Sequence, residues 1–287
     1  DSARAVPQQP EVLRLAAFSL DGAGGNPAGV VLDAEGMDPA AMLAVAAEVG
    51  FSETAFLAAR VPREFAVRYF SPGAEVPFCG HATIAAAAVL AERSGTGTFW
   101  FDTPVGQVPI ETERSAGKVS ATFTSVEPAV REPDPATADE LLDLLGMSEA
   151  DLDPALPLRE AFAGNWHPVV ALARQDRFDG FGFDPAAVRE LMDRRGWAGT
   201  VTVVHRLGPE AFEARNLFPV GTITEDPATG SAAASLGGYL RALGVAPARF
   251  EIRQGRHVGA PSRLVVSVPP TGGIRVSGTV RTIAPAP

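Results

Sequence analysis

Two stretches of the chain align without gaps: Glu75-Val76-Pro77-Phe78-Cys79-Gly80-His81-Ala82 and Glu225-Asp226-Pro227-Ala228-Thr229-Gly230-Ser231-Ala232. Each leads into small apolar residues with helical character, and each follows a strand-like run that carries one arginine, Arg68 or Arg215. A strand, a turn with Pro and Gly, and a small-residue helix therefore occur twice in the same order. This repetition predicts two α/β halves of similar architecture.

Two further landmarks support the repeat. The helical stretches Asp38 to Gly50 and Asp184 to Gly196 both begin with Asp-Pro, which suits an N-cap and a first helical position, and both end twelve residues later on a glycine. The pair Gly25-Asn26 likewise matches Gly164-Asn165. The offset between matched residues grows from 139 through 146 to 150 along the chain. Small loop insertions would produce this drift, so we interpret the repeat as a duplication.

The repeat also predicts the domain organisation. The first half comprises residues 11–126 and the second residues 135–273, and the proline-rich stretch Val126 to Pro135 links them. The segment 274–287 contains apolar residues that alternate as in a strand, and we expect it to return to the first half. In the second half, Thr137-Ala138-Asp139-Glu140 is typical of a capping box that opens a helix.

Composition excludes several classes of partner. The formal net charge of −10 argues against nucleic acid, whose phosphates select basic surfaces. No apolar run reaches the roughly 20 residues that span a bilayer, so no membrane partner is expected. The polar residues Asp1 to Pro10 are predicted to form a loose tail on a soluble protein. Cys79 is the only cysteine, which excludes an intrachain disulfide and fits a cytoplasmic location.

The residue types argue against a cofactor or a metal. Lys118, the only lysine, lies in a polar turn that is poorly placed for a pyridoxal phosphate Schiff base. The four histidines lack ligand spacing; His167, next to a repeated Gly-Asn pair, could line the cleft but is expected to be structural. The stretch Gly22 to Pro27 resembles half of a dinucleotide fingerprint, but a strand follows it instead of a helix. We therefore expect no organic cofactor and no bound metal.

The two helix starts supply candidate binding groups. Free backbone N–H groups and the helix dipole at Gly80 and Gly230 can hold an anion, such as a carboxylate substrate or an enolate-like intermediate. The two copies differ where chemistry is expected, because Ser231 stands where the first copy has His81. A single cleft between the halves would bring both helix starts to one substrate.

Glu53 is the candidate general base. It lies on an otherwise apolar strand-like run, Phe51 to Leu57, and at an offset of 146 its counterpart in the second half is Gly199. A carboxylate that lacks a partner in the other half is suited to accept and return a proton. A charge at the solvated end of a strand is the alternative interpretation.

Four motifs together resemble the phenazine-biosynthesis PhzF family: Ser52-Glu53-Thr54, Pro77-Phe78-Cys79-Gly80-His81, Glu225-Asp226-Pro227-Ala228-Thr229-Gly230-Ser231 and Gln254-Gly255. The resemblance extends over nearly the whole chain. It implies the α/β diaminopimelate epimerase fold, in which each of two pseudo-symmetric halves wraps a sheet around a central helix. It also implies a homodimer and an isomerase without metal or organic cofactor, whose best-known substrate in the family is trans-2,3-dihydro-3-hydroxyanthranilate.

The resemblance implies roles for eight residues in the cleft. Glu53 would move the proton as both acid and base. The other catalytic positions, which would orient a small carboxylate substrate or assist protonation, are His81, Asp226 and Ser231. The substrate-binding positions, which include two glycines with backbone donors, are Gly80, Gly230, Cys79 and Thr229.

Three alternatives remain open. Related proteins of this fold pair a cysteine with a threonine, so Cys79 and Thr229 would support a dehydratase or epimerase. Ser231, His81 and Asp226 contain the residue types of a hydrolase triad, although the flanking sequence is not the G-x-S-x-G elbow and Ser231 is predicted to cap its helix. A catalytically silent small-molecule binder is the third alternative.

Overall fold

The computed structural model describes residues 9–220 and 223–283. The helices are α1 Pro39–Val49, α2 Gly80–Ser94, α3 Pro135–Leu144, α4 Gln175–Gly180, α5 Pro185–Arg195 and α6 Gly230–Ala242. The first nine strands are β1 Leu13–Ala17, β2 Asn26–Val31, β3 Glu53–Ala59, β4 Glu64–Phe70, β5 Glu75–Val76, β6 Gly97–Thr103, β7 Gly106–Ser115, β8 Lys118–Thr124 and β9 Ala129–Arg131. The others are β10 Arg159–Phe162, β11 Trp166–Leu172, β12 Val201–Gly208, β13 Ala211–Val220, β14 Ile223–Asp226, β15 Arg249–Gln254, β16 Ser262–Ser267 and β17 Arg275–Thr282.

Helices α1 and α5 form where the two Asp-Pro pairs predict them. Oδ1 of Asp38 accepts a hydrogen bond from a backbone N–H of the first turn at 2.8 Å, and Oδ1 of Asp184 does so at 3.0 Å. Gly50 and Gly196 end these helices with φ angles of +76° and +68°, a left-handed conformation that glycine adopts without a steric penalty.

The sheet of the first half closes on itself. Its strands pair in the order β1-β2-β3-β4-β6-β7-β8-β17, and β17 pairs with β1 to complete the ring. Strands β2 and β3 are parallel, with α1 as the crossover, and β4 and β6 are parallel, with α2 between them in sequence. Strand β17 also pairs with β16, so it joins the sheets of the two halves.

The second half repeats this order as β10-β11-β12-β13-β15-β16-β17. The stretch Val126 to Pro135, predicted as a link, contains strand β9, which pairs with β10. The prolines flank β9, so its own N–H groups remain free to form the ladder. Both guanidinium contacts from Arg131 to the carboxylate of Glu160 measure 3.2 Å and hold the two strands together.

The predicted capping box at Thr137 is wrong. Helix α3 begins three residues earlier than predicted, with Asp134 as its N-cap and Pro135 at the first helical position, which suits proline because no N–H is needed there. Thr137 lies inside the first turn and is buried, and its Oγ1 has no hydrogen-bond partner among the described residues.

Helices α2 and α6 are the two central helices. In α2, residues from Gly80 to Ala91 are all buried, and in α6 the same holds from Gly230 to Leu240. A helix that is buried on every side needs apolar residues all round, and the small side chains of both helices let the surrounding strands approach closely. The prediction of two similar α/β halves, each with a sheet around a central helix, is confirmed.

Strand register corrects one match between the halves. Phe56 pairs with Arg68 in the first half, and Val203 pairs with Arg215 in the second, so the offset in these strands is 147 rather than 146. The counterpart of Glu53 is therefore Thr200 and not Gly199. Glu53 lies three positions after Gly50, whereas Thr200 lies four positions after Gly196, and this one-residue insertion moves the match by one position.

None of the described helices is long and apolar enough to cross a membrane. The loose tail predicted for Asp1 to Pro10 lies outside the described residues, apart from Gln9 and Pro10. The last four residues of the segment 274–287 also lie outside them.

Candidate active site

A small cavity of about 80 Å³ lies between the N-termini of α2 and α6. Loops that precede the two helices and the first residues of β3 form its walls. The residues of the predicted site that line it are Glu53, Cys79, Gly80, His81, Asp226, Thr229, Gly230 and Ser231. The structure therefore brings all eight predicted positions together. The other eight lining residues had not been predicted as part of the site, and they include Asn165, His167, Thr200 and Phe218.

Glu53 begins β3 and points into the enclosed site, with only 12% of its side chain exposed. This burial excludes the interpretation of a solvated strand end. Oε2 lies 3.3 Å from Nε2 of His81 but outside hydrogen-bond geometry, and it has no hydrogen-bond partner among the described residues. Burial raises the pKa of the Glu53 carboxyl, and the nearby Ser52 hydroxyl and Cys79 thiol partly offset this rise. A buried carboxyl with an unpaired oxygen is suited to take up and return a proton.

His81 lies at the start of α2 with both ring nitrogens in contact with polar atoms. Nδ1 is 3.2 Å from Sγ of Cys79 and 3.3 Å from Nδ2 of Asn26, and Nε2 is 3.3 Å from Oγ of Ser52. Burial lowers the pKa of His81, and the nearby charge of Asp226 opposes this shift. The ring therefore favours its neutral form, in which it orients neighbours by hydrogen bonding rather than by charge.

Asp226 ends β14 on the opposite side of the cavity. Oδ1 accepts a hydrogen bond from Nδ2 of Asn26 at 2.8 Å, and Oδ2 accepts one from Oγ1 of Thr229 at 2.7 Å. Burial raises the pKa of Asp226 to about 6; attraction to His81 lowers it, and repulsion from Glu53 raises it further. Two carboxyl groups with raised pKa values thus line one cavity, an arrangement typical of acid/base enzymes.

Gln254 fixes the turn that leads into α6. Its Nε2 donates to the carbonyl oxygen of Asp226 at 2.8 Å, and its Oε1 accepts a hydrogen bond from the backbone N–H of Thr229 at 3.3 Å. Gln254 appeared in the sequence only as part of a motif, and Asn26 only as part of a repeated pair. The repeated Gly-Asn pair was the signal for a polar contact across the halves, but the sequence alone did not show its partner.

Ser231 does not cap its helix, contrary to the prediction. The N-cap of α6 is Thr229, and Oγ of Ser231 instead lies 3.0 Å from Nε2 of His167, a fully buried residue. A hydrolase triad would require Ser231 to bond to His81. Among the described residues Ser231 bonds to His167 instead, so the triad of the rival hydrolase interpretation is not assembled.

Two clusters of metal-ligand residue types occur in the described part of the chain. In the cavity, Glu53, Cys79 and His81 place ligand atoms within 4.8 Å of one another, which the sequence spacing did not predict. Burial raises the pKa of the Cys79 thiol well above its ordinary value, which disfavours the thiolate that binds metals. The second cluster is Asp179, Glu213 and His257, whose two carboxylates already bind the guanidinium of Arg256.

Two other cavities help to locate the site. One of about 260 Å³ is lined by residues that include Asn26, Ser52 and Asp226, so it shares Asp226 with the small cavity. A larger one of about 520 Å³ lies against the outer end of α2, and its charged lining residues are Arg14, Glu92, Arg93 and Lys118. We take the small cavity as the candidate active site because both carboxyls with raised pKa values line it.

The whole chain resembles proteins of known family. Residues 15–283 match PhzC-PhzF, described as phenazine biosynthesis-like protein. The protein belongs to the PhzF family. It is 31% identical to the uncharacterized isomerase YddE of Escherichia coli, and the alignment covers 91% of this chain and 90% of that one. It is 30% identical to trans-2,3-dihydro-3-hydroxyanthranilate isomerase of Pseudomonas fluorescens, with 83% of each chain covered.

Solved structures agree with this assignment. A Pseudomonas aeruginosa protein described as a predicted epimerase superposes with a TM-score of 0.83 at 28% identity, covering 96% of this chain and 97% of the other. A hydroxyproline epimerase of Agrobacterium vitis superposes with a TM-score of 0.64 at 15% identity over 95% and 90% of the chains, which shows the shared fold alone. The predicted diaminopimelate epimerase-like fold is confirmed, and this PhzF-family protein is an isomerase.

Proposed function

We propose that the protein is a cofactor-independent isomerase that moves a proton between two carbons of a small carboxylic acid bound in the cavity. Glu53 carries the proton. The observation that supports this role is its buried carboxyl, which lines the cavity with Oε2 unpaired among the described residues. As base, the ionised Glu53 takes a proton from a carbon next to a conjugated system; as acid, it returns that proton to another carbon of the same system.

The helix starts would hold the charge that develops during transfer. Gly80 and Gly230 line the cavity from opposite helices, and the backbone N–H groups at helix N-termini attract anions. A substrate carboxylate or an enolate-like intermediate would bind between them, with Ser231, His81 and Asp226 as side-chain partners. Burial of the Glu53 side chain would limit exchange of the transferred proton with solvent.

The candidate substrate is trans-2,3-dihydro-3-hydroxyanthranilate, on which the Pseudomonas fluorescens relative is named. Wild type and Glu53→Gln are mixed with this compound in D₂O and followed by proton NMR. We expect conversion by wild type and a rate at least about a hundredfold lower for the variant, the range that a general acid/base supplies. Glu48→Gln, on the exposed face of α1, is the matched control and should convert the substrate at the wild-type rate.

Other outcomes of this experiment identify the rivals. If wild type does not convert the compound, this substrate is excluded, and a panel of small carboxylic acids is tested next. Equal rates for wild type and Glu53→Gln remove Glu53 from the mechanism. Binding without turnover of any panel member, unchanged by Glu53→Gln, would indicate a silent binder. A reaction that depends on Cys79 and Thr229 but not on Glu53 would indicate the dehydratase or epimerase alternative.

We further propose, from family resemblance, that the protein is a cytoplasmic homodimer. Light scattering coupled to size-exclusion chromatography measures its mass against the 29.9 kDa of one chain. If the measured mass is that of one chain at all micromolar protein concentrations, the dimer is excluded. Fractionation of cells that express the untagged protein tests the compartment.

A further inference from the structure

Where the first half has the Glu53–His81 pair, the second half has a His167–Ser231 pair, in which the histidine comes from a different strand. At the strand offset of 147, Thr200 occupies the position of Glu53, and in the gapless alignment Ser231 occupies the position of His81. His167 matches Ala28 at the offset of 139, which also relates the strands β2 and β11. The first half therefore contains an acid beside a histidine, whereas the second contains a histidine beside a serine.

One hydrogen bond favours a single tautomer of His167. The backbone N–H of Thr200 donates to Nδ1 at 2.9 Å, and a second N–H cannot face it at that distance, so this contact requires an Nδ1 without a proton. The carbonyl oxygen and Oγ1 of Thr200 lie 3.1 Å and 3.0 Å from the same nitrogen, and these two contacts would suit the other tautomer. Burial lowers the pKa of His167 to about 4, and the contact with the Thr200 backbone opposes this shift, so the ring favours its neutral form. We assign its one proton to Nε2, an assignment that nitrogen-15 NMR tests directly.

The tautomer of His167 determines how the hydroxyl of Ser231 is hydrogen-bonded. Nε2–H of His167 donates to Oγ of Ser231 at 3.0 Å, so this oxygen is an acceptor on one side. The serine proton must then point elsewhere, and Ser231 lines the cavity. A hydroxyl held in this way presents an O–H donor to whatever occupies the cavity.

We propose that His167 is a positioning residue that holds Ser231 as a hydrogen-bond donor to an oxygen of the bound substrate. This inference rests on the proposed function for its substrate but not for its geometry. The oxygen it would serve is a carboxylate or a developing enolate oxygen, since both accept hydrogen bonds and carry negative charge. His167 itself acts through Ser231.

Neighbouring residues hold the ring of His167 in place. A side chain on Gly199 would overlap the imidazole, so the backbone packs directly on it. Oγ1 of Thr200 donates to Oδ1 of Asn216 at 2.6 Å, and Oγ1 of Thr202 donates to the same oxygen at 2.8 Å. These buried contacts fix the Thr200 backbone whose N–H sets the tautomer.

The first test needs no substrate. Nitrogen-15 NMR of histidine side chains at pH 7 should show His167 as the neutral tautomer protonated on Nε2, and its signals are assigned by their loss in His167→Gln. Protonation on Nδ1, or a charged ring, overturns the proposal whatever the enzyme turns over. Ser231→Ala should shift the Nε2–H resonance and speed its exchange with solvent, because its acceptor is lost.

The second test measures turnover of trans-2,3-dihydro-3-hydroxyanthranilate. Ser231→Ala and His167→Phe should each lower kcat/KM by about tenfold to a hundredfold, the range for a hydrogen bond to a charged group. The double variant should lose no more than either single one, since both remove the same donor. His167→Gln should recover most of the activity, because its amide oxygen can accept from Thr200 and its amide nitrogen can donate to Ser231.

The outcomes separate the two proposals. If wild type fails to turn over this substrate, the proposed function fails, while the NMR result still decides the role of His167. If wild type is active and the losses of the two single variants multiply, His167 does not act through Ser231. If His167→Gln is as impaired as His167→Phe while the circular dichroism of both variants is native, hydrogen bonding is not what the ring supplies.

Discussion

Gly80 and Gly230 meet where the two central helices begin. A Cβ atom placed on Gly80 would lie 3.0 Å from Cα of Gly230, and one placed on Gly230 would lie 3.2 Å from Cα of Gly80. These Cα atoms are backbone, so they cannot rotate aside as a flexible side chain would, and the ring of Phe123 lies 3.3 Å and 3.1 Å from the same two Cβ positions. The two helix starts therefore converge on one cavity because both of these positions are glycine.

Gly80→Ala should push the helix starts apart. We expect a loss of about 1–3 kcal/mol in the free energy of unfolding, the usual cost of overpacking, together with a lower kcat. Urea denaturation and the NMR turnover assay measure the two effects. Gly73→Ala is the control, because its added methyl would have no atom within 4 Å. If Gly80→Ala has the same free energy of unfolding as wild type, the contact between the starts of α2 and α6 is looser than described.

Burial of Asp226 should make stability depend on pH. Burial raises its pKa from 3.8 to about 6, so the folded protein holds a proton that the unfolded chain has already lost between these values. The neutral carboxyl therefore contributes its stability below about pH 4, and that contribution is lost as the pH rises to 6. The cost above pH 6 is on the order of 3 kcal/mol.

Asp226→Asn removes this titration. The free energy of unfolding of the variant relative to wild type should rise between pH 4 and pH 6 and then stay constant, as measured by urea denaturation across pH 4 to 8. Asp139→Asn, at an exposed position of α3, should show no such difference. A flat difference for Asp226→Asn would mean that the carboxyl is not perturbed by burial.

Each half of the protein contains an arginine–glutamate ion pair at the corresponding position. Arg68 contacts Glu75 at 2.7 Å with about a third of each side chain exposed (38% and 33%), whereas Arg215 contacts Glu225 at 3.0 Å with 9% and 7% exposed. Arg215 also donates to the carbonyl oxygen of Phe178 at 3.0 Å. The same two residue types thus lie in solvent in one half and in the interior in the other.

Glu225→Gln should destabilise the protein by about 3–5 kcal/mol, because it leaves a buried guanidinium without its counter-charge. Glu75→Gln should cost about 0–1 kcal/mol, since water replaces the lost partner. Thermal and urea unfolding of the two variants measure the difference. Similar losses from both would indicate that the second pair is solvated.

Cys79 should be an unreactive thiol in the folded protein. Burial raises its pKa well above the ordinary value, and the charge of Glu53 raises it further, so little thiolate forms at pH 7.5. A disulfide reagent should react with the native protein at least about a hundredfold more slowly than with the urea-unfolded chain. Rapid native reaction would instead favour the alternative in which Cys79 acts as a base.

Local sequence signals predicted much of the fold. Asp-Pro starts and glycine ends located α1 and α5, because capping and backbone conformation depend on the residue itself. The gapless motif located both central helices for the same reason. The Thr137 capping box failed because Asp134-Pro135, just upstream, offered a better start.

The sequence by itself determined the two-fold repeat, the helix starts and the residue types that the cavity contains, since these follow from local pattern. Only the tertiary structure decided the contacts. The match of Glu53 with Thr200, the bond from His167 to Ser231 and the bond from Asn26 to Asp226 depend on strand register and on the packing of segments far apart in the chain. Burial, and with it the raised pKa values of the two carboxyls, is likewise a property of the assembled halves.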